Sequence, residues 1–205
     1  MEKKIKNLGV MVDCSRDACY KAEAVENFID VIARLGYNVL MLYTEDTYAL
    51  DGEPYFGYMR GRYGKEEWKR LDAYAKARGV ELIPCIQTLA HLGAVTRWQE
   101  YGEKCVDGND ILLVDQPETY ELIEKMFRWA AECFTSRRIH IGMDEAYGGT
   151  GALSRSARLS PALRSFAASF AAHRRNRGRI RLFVHALVGY VRQDGKRRRI
   201  LSRAF

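Results

Sequence analysis

The five cysteines (Cys14, Cys19, Cys85, Cys105 and Cys133) are odd in number and form no Cys-x-x-Cys pair. Neither a disulfide framework nor a zinc site is expected from such spacing, and no metal ligand set is assigned. No apolar run approaches the roughly 20 residues of a membrane span. The start, Met1-Glu2-Lys3-Lys4, lacks the apolar stretch and small-residue cleavage site of a secretory signal. The expected setting is reducing and cytoplasmic, without membrane attachment. No Gly-x-Gly-x-x-Gly follows the first apolar run, so a dinucleotide-binding fold lacks its fingerprint. No cofactor is expected.

Acidic residues are scarce in one region only. The net charge is +7, but 14 of the 33 basic residues and one of the 26 acidic residues lie in 151–205. That tail therefore carries +13 and residues 1–150 carry −6. A basic balance confined to the tail says nothing about the partners of the body. Two compositions imply two regions: a body over 1–149 and a basic tail over 150–205.

What the body does have is alternation. Short apolar runs at 9–13, 38–43, 80–86 and 138–143 read as strands. Between them, residues 22–35 place Val25, Phe28, Ile29, Ile32 and Leu35 at helical spacing and stop at Gly36. Residues 65–78 repeat the pattern through Trp68, Leu71 and Ala75 and stop at Gly79. Pro117 opens a third helix to about residue 134. Strand, helix, strand, helix with near-continuous apolar strands predicts a parallel sheet covered by helices. An open doubly wound sheet and a (β/α) barrel both fit.

The connections are unequal. Helix-to-strand links are short, whereas the strand-to-helix links 44–64 and 87–116 are long. In parallel α/β proteins such links lie at the C-terminal ends of the strands, where active sites are built. All four strands also end in polar residues: Asp13 to Arg16, Thr44-Glu45-Asp46, Gln87 to His91, and Asp144-Glu145. One carboxylate at a strand end is ordinarily a cap or a solvated loop residue. Four successive ends point to a common mouth. On the fourth strand, alternation sends His140, Gly142 and Asp144 to one face and Ile139, Ile141 and Met143 to the other. Glu145 joins Asp144 in the mouth only if the backbone turns there. Tyr55, Tyr58 and Trp98, in the long links, read as packing residues in preference to ligand-binding platforms. Trp68 and Trp129 read as helix packing.

His140-Ile141-Gly142-Met143-Asp144-Glu145 resembles the His-x-Gly-x-Asp-Glu signature of glycoside hydrolase family 20, the β-N-acetylhexosaminidases. Three more segments resemble that family's motifs in order: Asp13-Cys14-Ser15-Arg16, Leu42-Tyr43-Thr44-Glu45-Asp46, and Ile83 through His91. The resemblance covers about residues 8–148. Tyr43, Glu45, Cys85, Gln87, Leu89 and Ala90 depart from the family's residues.

The resemblance implies a (β/α)8 TIM-barrel-type fold, present here as a partial barrel of four to five β/α units. It implies hydrolysis of terminal β-linked N-acetylhexosamine from a glycan, with retention assisted by the substrate's own acetamido group. Glu145 is the implied acid and base, and Asp144 the implied partner of the acetamide. His91 with Asp46, in preference to Glu45, is the implied relay. Arg16 and Glu45 are the implied sugar-binding residues.

The tail shows no such motif. Residues 160–173 have helical spacing and 179–191 read as a strand, which allows an irregular fifth unit. The abrupt change near Gly149 also fits a frameshifted or damaged continuation. Two other readings stay open. One is a non-catalytic scaffold whose tail (Arg174, Arg175, Arg177, Arg179 and the run Lys196-Arg197-Arg198-Arg199) binds nucleic acid. The other is a barrel hydrolase of a different glycosidase family. A partial barrel leaves strand edges uncovered, so marginal stability or self-association is expected.

Overall fold

A computed structural model describes residues 5–16, 18–114 and 116–145, together with the backbone of three short strands in the tail. The first strands and helices lie within a residue or so of the sequence expectation: β1 (Gly9–Asp13), α1 (Ala22–Arg34), β2 (Val39–Tyr43), α2 (Lys65–Ala77) and β3 (Glu81–Cys85). The 87–116 link is not the plain loop expected. It carries α3 (Gly93–Thr96), α4 (Gln99–Gly102) and a small antiparallel pair, β4 (Val106–Gly108) with β5 (Ile111–Leu112). Leu92, Val95, Tyr101, Cys105, Ile111 and Leu112 are buried there, so apolar burial folds this link back on itself. Then come α5 (Pro117–Cys133) and β6 (Arg138–His140). β6 is shorter than the expected strand because the backbone leaves the extended region at Gly142 (φ 49°).

The tail contributes β7 (Phe183–His185), β8 (Tyr190–Gln193) and β9 (Lys196–Arg199). β7 lies parallel beside β6, and β8 pairs antiparallel with β9. The expected helix over 160–173 and the side chains of the basic run lie outside the described residues.

The main sheet has the order β1-β2-β3-β6-β7, with every described pairing parallel. Each strand sits beside its predecessor in that sheet, with no reversal of direction across it. A doubly wound sheet requires a reversal, so the order decides for the barrel type. Register fixes the faces. Met11, Met41 and Ile83 form one row, and Asp13, Tyr43 and Cys85 the next, with His140 opposite Cys85. These rows face away from the helices. Leu40, Leu42, Leu82, Ile86, Ile139 and Ile141 face the helices and meet Val25, Ile29, Leu71, Met126 and Ala130 in one buried cluster.

The long link after β2 is anchored by aromatics. Tyr48 is fully buried, stacks on Trp129 with ring centroids 3.9 Å apart, and bridges to Tyr63 at the far end of the link. Trp68 and Phe134 close the same cluster around Trp129. Among the described residues, no helix is long and apolar enough to cross a membrane.

Candidate active site

The four polar strand ends come together, linked by hydrogen bonds. After β1, Asp13 Oδ1 accepts from both the N–H and the hydroxyl of Ser15, so this carboxylate locks a turn. The turn presents Arg16, whose Nη1 donates to Glu45 Oε1 at 2.7 Å. The Tyr43 hydroxyl donates to the same oxygen at 3.2 Å and accepts from Gln87 Nε2 at 2.8 Å. Gln87 Nε2 also donates to Asp144 Oδ1 at 3.2 Å. His91 Nε2 stands 3.3 Å from Asp144 Oδ2 and 3.7 Å from Glu145 Oε2. A continuous polar chain thus runs from Arg16 to Glu145 across all four strand ends.

The turn that brings Glu145 beside Asp144 is built from backbone conformation. Gly142 has φ 49° and Glu145 φ 55°. A Cβ on Gly142 would collide with the Gln87 amide oxygen and lie 2.6 Å from the Ile86 carbonyl oxygen, so only glycine fits there. His91 is also left-handed, at φ 59°. Non-glycine residues held in that region carry local strain, which concentrates at functional sites. Strand alternation alone would have turned Glu145 away from Asp144; the break at Gly142 is what reverses that.

Exposure differs along the chain of contacts. Glu45 is 4% exposed and Asp46 1% exposed, whereas the Asp144 and Glu145 side chains are 40% and 69% exposed and open to an incoming ligand. Burial raises the pKa of Glu45; Arg16 and the Tyr43 hydroxyl oppose the rise. Burial likewise raises Asp46 against the pull of Arg60. The Tyr43 phenol is raised, first by burial and further by Glu45 and Asp144, which keeps it protonated as a donor.

Asp46 is placed differently from the relay expected of it. Its ion partner is Arg60, with Nε 3.0 Å from Oδ1, and His91 Nε2 faces the Asp144 and Glu145 carboxylates instead. Arg60 also donates to the Ser15 carbonyl, tying the long link to the β1 turn. Tyr43, Gln87 and Arg60 carry no assigned role in the sequence reading, although Gln87 opens one of the four polar strand ends. Tyr43 and Gln87 share inward parity with Met41 and Cys85, which was the available signal. For Arg60 the signal is only its place on a long link after β2, and its partner depends on how that link folds. Trp68 and Trp129 are core residues, as read. Tyr55, Tyr58 and Trp98 do pack on one another, but Tyr55 and Tyr58 remain 37% and 45% exposed. Among the described residues, no group of three His, Cys, Asp or Glu side chains is placed to hold a metal ion.

Known proteins share this architecture. The chain is 28% identical to a beta-hexosaminidase of Akkermansia muciniphila, over 67% of this chain and 34% of that protein. It is 27% identical to a beta-hexosaminidase of Emericella nidulans, over 67% of this chain and 27% of that protein. The chain therefore spans about a third of the length of these relatives. Among solved structures, a beta-N-acetylhexosaminidase superposes with a TM-score of 0.74 at 24% identity, over 89% of this chain and 46% of that one. A mutant Streptomyces plicatus beta-hexosaminidase in complex with its product GlcNAc superposes with a TM-score of 0.68 at 25% identity, over 89% of this chain and 39% of that one. The model of the glycosyl hydrolase family 20 catalytic domain matches residues 8–201, running past the last of the four motifs and through the tail. On a match of that extent, the chain belongs to glycosyl hydrolase family 20, as part of its TIM-barrel catalytic domain.

Proposed function

We propose that this chain carries the acid/base half of a glycosidase site that removes terminal, non-reducing β-linked N-acetylhexosamine with retention. The observation that carries this reading is the placement of the Asp144 and Glu145 carboxylates on one His91 nitrogen, at 3.3 and 3.7 Å, at the mouth of a parallel β/α sheet. The beta-hexosaminidase names of the relatives and the GlcNAc product in a solved neighbour support the substrate class.

In the proposed reaction the acetamido carbonyl oxygen of the substrate attacks the anomeric carbon. The bond from that carbon to the leaving oxygen breaks, and Glu145 gives that oxygen its proton. The intermediate is a cyclic oxazolinium with positive charge shared onto nitrogen. Asp144, held by Gln87, accepts the acetamide N–H and stabilises that charge. Water then attacks the anomeric carbon from the vacated face, Glu145 takes its proton, and the oxazolinium ring opens to the retained sugar. Two inversions at one carbon give retention, an exception to the two-carboxylate scheme. Arg16 and Glu45 offer a planar donor fork and an acceptor to the sugar hydroxyls.

Release of nitrophenol from an aryl β-N-acetylglucosaminide is the test. Turnover is expected, with a loss of about 100-fold or more in Glu145→Gln, in line with removal of a general acid. The corresponding aryl β-glucoside, which lacks the acetamide, is expected to be inert. Equal turnover of both sugars, or an active Glu145→Gln protein, would refute the assignment.

A further inference from the structure

The proposed reaction uses Arg16, Glu45, Asp144 and Glu145, and leaves the Tyr43 hydroxyl without a task. Tyr43 ends β2 on the inner face, in one row with Asp13 and Cys85. Its hydroxyl stands between two groups that face the substrate separately. On one side is the Arg16–Glu45 pair, offered to sugar hydroxyls. On the other, through Gln87, is Asp144, offered to the acetamide. Tyr43, Glu45 and Gln87 are all positions where the sequence departs from the family's residues, and Tyr43 is bonded to both of the others.

Counting donors and acceptors fixes the direction of each bond. Gln87 is fully buried, and its amide nitrogen carries two N–H groups. That nitrogen donates to the Tyr43 oxygen at 2.8 Å and to Asp144 Oδ1 at 3.2 Å. The amide oxygen is buried with no hydrogen-bond partner among the described residues, and it lies where a Cβ on Gly142 would collide with it. The reverse orientation of the amide would set that oxygen against the Asp144 carboxylate. The Tyr43 oxygen accepts from Gln87, so its single proton goes to Glu45 Oε1 at 3.2 Å. Bonds that all run one way polarise each other.

The Gln87 amide has two partners, and they differ in rigidity. The Asp144 side chain is 40% exposed and lies beyond the end of β6, whereas Tyr43 is held on a strand paired on both sides. The Tyr43 hydroxyl is therefore the fixed support from which the amide reaches Asp144. Gln87 on Oδ1 and His91 beside Oδ2 then set the plane of the Asp144 carboxylate.

We propose that Tyr43 is a positioning residue for the proposed reaction: its hydroxyl, acting through the Gln87 amide, aims the Asp144 carboxylate at the substrate acetamide. This rests on the glycosidase reading for the reaction it serves. The acetamide and the anomeric carbon must be held in near-attack geometry, so a small rotation of Asp144 is costly. The same hydroxyl bonds Glu45, which keeps the hydroxyl-binding and acetamide-binding ends of the site in one register.

The test compares the full chain with Tyr43→Phe, Gln87→Met and the double variant on an aryl β-N-acetylglucosaminide. Tyr43→Phe keeps the ring and removes one oxygen; Gln87→Met keeps the length and removes the donor. Each single variant is expected to lower kcat roughly tenfold, the scale of one hydrogen bond to a charged group. The double variant should be no slower than Gln87→Met alone, because the tyrosine acts through the glutamine. A loss of packing, or an action through Glu45 alone, would instead multiply the two losses. Unchanged kcat in Tyr43→Phe, or losses that multiply, would overturn the positioning role and leave the glycosidase reading intact. Calorimetry with N-acetylglucosamine on the same four proteins gives a readout that needs no turnover. Affinity that falls in the same non-multiplying pattern, in a chain that hydrolyses nothing, would keep the positioning role and remove the hydrolytic reading. In such a chain, affinity that Tyr43→Phe leaves unchanged, losses that multiply, or no binding of the sugar at all would overturn both.

Discussion

The Glu45 carboxyl is 4% exposed, and burial raises its pKa even though Arg16 and the Tyr43 hydroxyl favour the ionised form. A carboxyl whose folded pKa lies above its unfolded value binds its proton more tightly in the folded chain. Its contribution to stability is therefore full below the unfolded pKa, about 4.3 for glutamate, and is lost as pH rises through the folded value. Glu45→Gln removes that titration. Its former partner Arg16 is 59% exposed at the side chain and loses little by standing alone. Glu45→Gln is expected to melt higher than the parent at pH 8, with the gap closing as pH falls towards 4. Thermal melts of both proteins across that range measure it, at roughly 2–4 °C per kcal/mol for a chain of this size. A gap that is constant with pH, or a parent that melts higher at pH 8, would remove burial as the controlling cause. The gathering of the polar strand ends was legible in sequence because polar residues after parallel strands must meet at one end. Their pairings were not. Asp46 is captured by Arg60, fourteen positions along a folded link, and no local spacing encodes that contact.

At the scale of elements, β1, β2, β3, β6, α1, α2 and α5 were legible because each has one apolar face at the right period, and glycines mark two helix ends at Gly36 and Gly79; the short elements of the 87–116 link have no such period and were not. What periodicity could not show is where β6 stops. The alternation His140, Gly142, Asp144 continues past the last ladder residue, whereas the backbone turns at Gly142 under the Gln87 side chain. This predicts different costs for two left-handed glycines. Gly36, at φ 87°, has open space where a Cβ would go, so Gly36→Ala meets only the left-handed penalty of about 1–2 kcal/mol. Gly142→Ala meets a penalty of that kind and a backbone collision at Ile86 as well. Gly142→Ala is expected to cost more in chemical denaturation and, on the proposed function, to lose turnover of the aryl β-N-acetylglucosaminide, which Gly36→Ala keeps. Equal destabilisation by the two variants would mean that β6 tolerates a side chain at its break.

For the whole molecule, the sequential strand order leaves the sheet with a helix-covered face and an inner face. β1 stands at the edge of the described sheet, and on it Gly9, Met11 and Asp13 are exposed, with Met11 at 45%. In register, Met11 continues an inward row with Met41 and Ile83. A row of this kind is what opposite strands of a closed barrel would cover; Ile83 is buried, whereas Met11 at the β1 end of the row is exposed. An apolar row ending at an unpaired strand edge is also a template for another chain. The isolated 205-residue chain is therefore expected to self-associate through β1. Sedimentation should show a coefficient that rises with concentration, and Met11→Lys, which sets a charge on the open face, should suppress the rise without unfolding the helix-covered side. A parent that sediments as a monomer at every concentration would mean that the inner face is covered within the chain itself.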